Sequence, residues 1–324
     1  MTTPAASADE ALRTLRRPGP ASVRREAAAQ LVEAARLSDD PAPWEERGRA
    51  LLGDADAEVR RAGVALLALV GGPPEQLLER IGPGLADRSA SVRMEAVGQL
   101  ADAARAELRP VLAAALGDQA FLVRFEAARG LAALHHPAGL DVLAEGLGQS
   151  ALRFRAIGAL AQLGDPRALG PLRRLFRRWF LDPFERTQAA GALASLGDGD
   201  GARHLLARLE RRRALDRPLA VELCGEAHLT LAEAALLAIL EDRTDRAWGA
   251  AARALGRLGT ERAGPSLEEA LADGSVPEEM RLDAAEGLVF LRGAGAREPL
   301  AAALGGLAAE ESRAELRSLL EELG

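Results

Sequence analysis

One nine-residue pattern recurs along the chain at near-constant spacing, and it limits the possible fold more than any other feature. An apolar residue is followed by Arg, by Ala at offset four and by Leu at offset eight. The pattern reads VRREAAAQL from Val23, VRRAGVALL from Val59, VRMEAVGQL from Val92 and VRFEAARGL from Val123. It continues as LRFRAIGAL from Leu152, ERTQAAGAL from Glu185, AWGAAARAL from Ala247 and MRLDAAEGL from Met280, with LDRPLAVEL from Leu215 as a degenerate copy. Successive starts lie 36, 33, 31, 29, 33, 30, 32 and 33 residues apart. Spacing this regular marks tandem structural units.

Offsets zero, four, eight and eleven share one face of an α-helix, so they form the expected buried stripe. Ala at offset four lets a neighbouring helix approach closely. Between copies lies a second apolar helical segment, such as PEQLLERIGPGL, AELRPVLAAAL or DGARHLLARL, with Gly and Pro at joints such as LGDPRALG from Leu163. Each unit is therefore a helix pair that cannot bury its apolar face alone, and stacking on the next pair supplies the core. The expectation is an all-α protein: a right-handed α-solenoid (an α-α superhelix) of about nine helix pairs, filling residues 1–324 as one domain. Second helices are expected near residues 23–36, 59–70, 92–104, 123–134, 152–163, 185–196, 215–224, 247–258 and 280–291. Residues 296–323 are expected to cap the C-terminal end with a helix, the segment from Ala309 being acidic and amphipathic.

Composition agrees with this class. The 324 residues include no Lys, Asn or Tyr, so all 41 basic side chains are Arg. Ala, Leu, Arg and Glu favour helices, while the β-branched and aromatic residues of strands are scarce. The bias toward residues of GC-rich codons points to a bacterial source. The net charge of −7 disfavours a general attraction to nucleic acid or to an anionic membrane. A single cysteine, Cys224, excludes an intramolecular disulfide framework and fits a reducing compartment. Met1 to Asp9 has neither a basic start nor an apolar run, and no apolar stretch is long enough to span a bilayer, so a soluble cytoplasmic monomer is expected.

The short helix, Asp turn and Val-Arg, Ala, Leu, Gly helix together resemble the HEAT family, in particular the HEAT-like repeats of phycobilin lyases, over about residues 10 to 305. That resemblance implies a convex first helix and a second helix lining a concave groove, and a use as a protein-binding module. It also brings two alternatives, a DNA-binding protein similar to the HEAT-like alkylpurine DNA glycosylases and a phycobilin-lyase-like subunit. An independent feature fits the repeat. Asp54, Asp87 and Asp118 each precede an Arg, at 60, 93 and 124, by six residues. An acid in the turn before a helix can cap its N-terminus or accept hydrogen bonds from Arg of the same or the adjacent repeat, forming a ladder.

Familiar catalytic constellations are missing. Without Lys there is no P-loop, Schiff-base or kinase-type lysine. GDGDGA from Gly197 follows a helix rather than a strand and lacks calcium-loop ligands further on, so it reads as an inter-repeat turn. Cys224 and His228 are spaced to share a helical face, but a buried thiol beside a surface His is the simpler reading. His135 and His136, before Pro137, read as a solvated turn rather than a metal site. No cofactor, metal or catalytic residue is assigned.

Two surfaces stand out as binding candidates. Offsets two and six of the second helix point away from the buried stripe. Three successive apolar residues, Met94, Phe125 and Phe154, occupy offset two, flanked by Glu95, Glu126, Arg129 and Arg155. They are expected to form an apolar, charge-edged trough for a protein or peptide partner, the alternative being that packing between repeats buries them. The second candidate is RRLFRRWF, carrying Arg173, Arg174, Arg177, Arg178 and Trp179, together with Arg211, Arg212 and Arg213. Arg with aromatic surface can hold phosphate or nucleic acid, the alternative being a solvated face paired with acids of adjacent repeats. Phe176, Phe180 and Phe184 are expected in the core.

Overall fold

The computed structural model describes residues 4–17, 19–38 and 40–323. Met1 to Thr3, part of the stretch weighed as a leader, lie outside the described residues. The Leu at offset eight explains most of the architecture. Leu31, Leu67, Leu100, Leu131, Leu160, Leu193, Leu255 and Leu288 are all fully buried, and Ala27, Ala96, Ala127, Ala156, Ala189, Ala251 and Ala284 at offset four lie beneath them. Helices follow one another throughout, and the described residues contain no strand. The chain belongs to the α-solenoid class, built of stacked helix pairs.

Two compact units divide the chain, Met1–Gly148 and Gln149–Gly324. The first holds α1 (Pro4–Arg16), α2 (Ala21–Arg36), α3 (Ala42–Leu52), α4 (Ala57–Leu69), α5 (Pro74–Leu85), α6 (Ala90–Ala103), α7 (Arg109–Ala115), α8 (Phe121–Ala133) and α9 (Leu140–Gly146). Within it α2, α4, α6 and α8 pack side by side as a row, and each carries an odd-numbered partner, α1, α3, α5 or α7. The second unit holds α10 (Ser150–Leu163), α11 (Leu169–Phe176), α12 (Pro183–Ser195), α13 (Gly199–Leu209), α14 (Arg217–Glu226) and α15 (Glu233–Glu241). It continues with α16 (Trp248–Leu258), α17 (Gly264–Ala272), α18 (Glu278–Arg292), α19 (Arg297–Ala303) and α20 (Glu310–Glu322). Its row is α10, α12, α14, α16, α18 and α20. The expected C-terminal cap is thus two helices, with Leu300 and Leu316 buried under them.

The Arg at offset one does the same work in nearly every pair. It reaches back and donates to carbonyls of the turn between the two helices. Arg60 donates to the Asp54 and Ala55 carbonyls at 2.9 Å, and through its other nitrogens to the Asp87 carboxylate of the next repeat at 2.7 and 2.8 Å. Arg93 does likewise to the Asp87 carbonyl and to the Asp118 carboxylate, and Arg124 to the Asp118 carbonyl. Asp87 and Asp118 also accept the backbone N–H groups of Ser89 and Ala120. The expected ladder is therefore real, with each acid capping its own helix while holding the Arg of the preceding repeat.

The second unit varies the device. Arg217 donates to the Leu209 carbonyl and pairs with Asp245 at 2.5 Å, and Arg281 donates to the Leu271 carbonyl. In the repeat that has Trp in place of Arg, the Trp248 indole N–H donates to the Leu240 carbonyl at 2.8 Å. Arg217 also corrects the register of the degenerate copy. Its motif starts at Asp216, not Leu215, so that Ala220 takes offset four and Cys224 takes offset eight, both fully buried. Starts at Glu185, Asp216 and Ala247 are then 31 residues apart on each side. Leu215, expected in the stripe, is 77% exposed.

Candidate functional site

A groove of about 420 Å³ runs along the even-helix face of the first unit. Ala29 and Val32 of α2 and Ala62 and Ala65 of α4 line it, together with Arg25, Glu33, Arg36, Glu58, Arg61 and, from α6, Glu95. Alanine makes it possible, because each helix presents a methyl where a longer residue would fill the channel between neighbours. The rim is tied together. Arg61 bridges Glu58 at 2.8 Å and Glu95 at 3.4 Å, Arg25 pairs with Asp56 at 2.9 Å, and Arg36 lies 3.8 Å from Glu33. Charge of both signs therefore stands around an apolar floor.

The trough expected from Met94, Phe125 and Phe154 is not present as such. Phe125 is fully buried, 6.2 Å from the ring of Phe121, although Val123, Ala127 and Leu131 rather than Phe125 carry the face of α8 that packs with α6. Thr187 and Leu282, also at offset two, are buried as well. Met94 is half-buried and packs against the core of the first unit, while Phe154 is 49% exposed on α10 of the second. Glu126 is buried and ion-paired to Arg129 at 2.9 Å, and Arg129 also holds Asp102 at 2.7 Å. Arg155 is exposed on α10. Of the expected set, Glu95 alone lines the groove. Sequence reasoning passed over the small residues that shape this site. Ala29 and Ala65 sit at offset six, beside Arg25 and Arg61 at offset two, and that combination was the available signal.

The Arg-rich segment divides into two classes. Arg173 pairs with Asp198 at 2.6 Å, Arg177 lies 3.7 Å from Asp200, and Arg212 pairs with Asp242. Arg174, Arg178, Arg211 and Arg213 are exposed and, among the described residues, make no ion pair. The aromatic residues depart from expectation. Phe176 is half-buried, edge-on to His204 at 5.3 Å, but Phe180 is 95% exposed and Phe184 42% exposed. The physical reason is that α11 ends at Phe176 and α12 starts at Pro183, and in the loop between them Leu181 takes the inward place. Trp179 is 87% exposed, whereas Trp44 and Trp248 are buried within their repeats.

None of the side chains weighed for catalysis forms an accessible reacting set. Cys224 is buried, and desolvation pushes its thiol up to about 12, far from a thiolate at neutral pH. His228 lies beyond the end of α14 with φ of 47°, off the helical face that carries Cys224. His135 is exposed in the joint after α8, and His136 caps the turn at Ala138. Asp198 caps α13 through Asp200 and Gly201, so only Gly197 and Asp198 of GDGDGA lie in the turn and the rest begins the helix. Thr187 donates to Asp216 at 2.7 Å and lies 3.2 Å from His204, whose pKa burial pushes down, but the Thr187 hydroxyl is fully buried. Among the described residues no group of three His, Cys, Asp or Glu side chains is placed to hold a metal ion, and no helix is long and apolar enough to cross a membrane.

The helix pairs, the Arg at offset one and the Asp turn define a class, and comparison with known families gives the same class. The model for HEAT repeats matches residues 78–153, and that for the PBS lyase HEAT-like repeat matches residues 152–178 and 249–273. The chain therefore carries HEAT repeats in these stretches, of the PBS lyase HEAT-like type over residues 152–178 and 249–273. No curated protein matches it. Among solved structures it is similar to the complex of CpcE and CpcF of phycocyanin lyase from Nostoc, at 18% identity and a TM-score of 0.47, covering 78% of this chain and 96% of that one. It is also similar to human deoxyhypusine hydroxylase, at 23% identity and a TM-score of 0.32, covering 77% and 97%. For YibA of E. coli the values are 15% identity, a TM-score of 0.38, and coverage of 88% and 92%. Likenesses this distant assign neither an activity nor a partner.

Proposed function

We propose that this chain is a non-catalytic scaffold that holds a partner protein by an amphipathic segment laid across the even-helix face of the first unit. The observation that carries the reading is the groove over α2, α4 and α6, with its Ala and Val floor and a rim of Arg25, Arg36, Arg61, Glu33, Glu58 and Glu95. A helix or extended segment with small apolar side chains on one face and charges on both flanks complements such a surface. Side chains already tied by ion pairs cost less ordering entropy on binding. Tandem-repeat folds lend themselves to this use because the row of second helices offers one continuous face. The buried Cys224 and Thr187, and the absence of Lys from the sequence, support a non-catalytic reading.

The test is selection from a library of amphipathic peptides against the full chain, followed by titration of the selected peptide. Ala65→Trp fills the floor without touching the core and is expected to weaken binding at least about tenfold, and Glu95→Arg to shift the preferred flanking charge. Peptides that bind the Ala65→Trp chain as tightly as the wild type would contradict the groove assignment.

A further inference from the structure

Several side chains at one end of the second unit take no part in its packing. Trp179, Phe180 and Leu215 are 87%, 95% and 77% exposed. Arg178, Arg211 and Arg213, in the same two loops, are exposed and, among the described residues, without an ionic partner. They belong to the α11–α12 and α13–α14 loops, which are successive loops at the same end of adjacent helix pairs. We propose that this edge docks on an anionic lipid surface, with Trp179, Phe180 and Leu215 in the interfacial layer and the three guanidinium groups on the headgroups.

The aromatic pair is held out, not left loose. Arg186, the offset-one residue of its repeat, donates to the carbonyls of Phe176 and Arg178 at 2.7 Å and of Trp179 at 3.3 Å. Leu175 and Leu181 anchor both sides of the loop in the core, and Asp182 caps α12 through Phe184 and Glu185. The loop backbone is thus held at three carbonyls and between two buried leucines while Trp179 and Phe180 stand in solvent. That arrangement is costly in water unless something else covers the rings.

Three arguments select the occupant. The rings are exposed on nearly all sides, whereas a platform for base stacking rests one ring face on protein; near-complete exposure suits a medium that surrounds the side chain. Trp lodges readily at the boundary between headgroups and acyl chains, and Phe and Leu bury into the same layer. Unpaired Arg next to them supplies the second, electrostatic signal that reversible surface binding needs, and charge complementarity makes that surface anionic. The chain's net charge of −7 does not oppose this, because screening confines each charge to about 10 Å at ordinary salt. The contact is peripheral and independent of the peptide groove.

Trp179 provides its own probe, since Trp44 and Trp248 are 5% and 2% exposed. The full chain is mixed with phosphatidylcholine vesicles with and without about 30 mol% phosphatidylserine, and sedimentation and Trp emission are followed. The expected result is a blue-shifted emission and co-sedimentation with the anionic vesicles only, weakening as salt rises. Trp179→Ala/Phe180→Ala abolishes the emission shift and cuts binding at least about tenfold, and Arg211→Gln/Arg213→Gln weakens it about fivefold per arginine. These surface variants should keep the wild-type circular dichroism. No association with anionic vesicles at low salt overturns the proposal, as does association that survives the aromatic double substitution. So does capture of a single-stranded oligonucleotide by this edge while vesicles are ignored.

Discussion

Arg60 shows how one side chain serves two repeats. It holds the turn of its own pair by two carbonyls and the next pair by Asp87, and the residue is 5% exposed. Removing it deprives two carbonyls of a donor and leaves the largely covered Asp87 carboxylate with the Ser89 N–H but no guanidinium. Arg60→Ala is expected to lower unfolding free energy by about 3 kcal/mol, measured by urea denaturation. Trp248→Phe keeps most of the buried ring and loses only the N–H to Leu240, so a smaller loss of about 1 kcal/mol is expected. Cys224, with its thiol pushed up to about 12, is expected to resist alkylation at pH 8 in the folded chain and to react promptly in denaturant. The Asp–Arg spacing made this ladder legible in the sequence. Which carbonyl each Arg would meet was not legible, since it depends on how the turn folds back. The substitution of Trp248 for an Arg was hidden for the same reason.

Helices were legible from their stripes, and the limits appear where two stripes compete. Offset two of the second helix faces away from the odd-numbered partner, which suggested exposure for Phe125. The outcome differs from repeat to repeat: Phe125 is buried, and Thr187 is buried under His204 and Asp216 of the next pair, while Arg25 and Phe154 are exposed. The closeness of α6 and α8 is set by small residues. At Gly130 of α8 an added Cβ would lie 2.6 Å from the Cβ of Ala101 and 2.8 Å from its Cα on α6. Gly130→Ala is therefore expected to push α6 and α8 apart and cost about 1–3 kcal/mol, seen as a lowered Tm, in contrast with the usual gain for Gly→Ala in a helix. Phe180 escaped prediction because a loop, unlike a helix, has no period from which to read the inward residue. Leu181 rather than Phe180 won that place.

At the scale of the molecule the Asp turns couple stability to pH. The Arg60 guanidinium holds the Asp87 carboxyl below its ordinary value, and Arg93 does the same for Asp118. A carboxylate whose pKa is depressed in the folded state contributes stability that is present above the unfolded value near 4 and is lost as pH falls through the folded one. Thermal stability is therefore expected to be level from about pH 5 to 8 and to decline below about pH 4, with a shallower decline for Asp87→Asn. Period and composition sufficed to place the chain among helical repeats. They pointed to the even-helix face for binding but favoured its large apolar residues over the small ones that leave room. That face is where the account is most exposed to test. Hydrogen–deuterium exchange of the full chain with and without a selected amphipathic peptide reads it directly. Slowed exchange concentrated in α2, α4 and the start of α6, around Arg25 to Arg36, Glu58 to Ala65 and Glu95, is the predicted result. Protection confined to other helices, or none at saturating peptide, would contradict it.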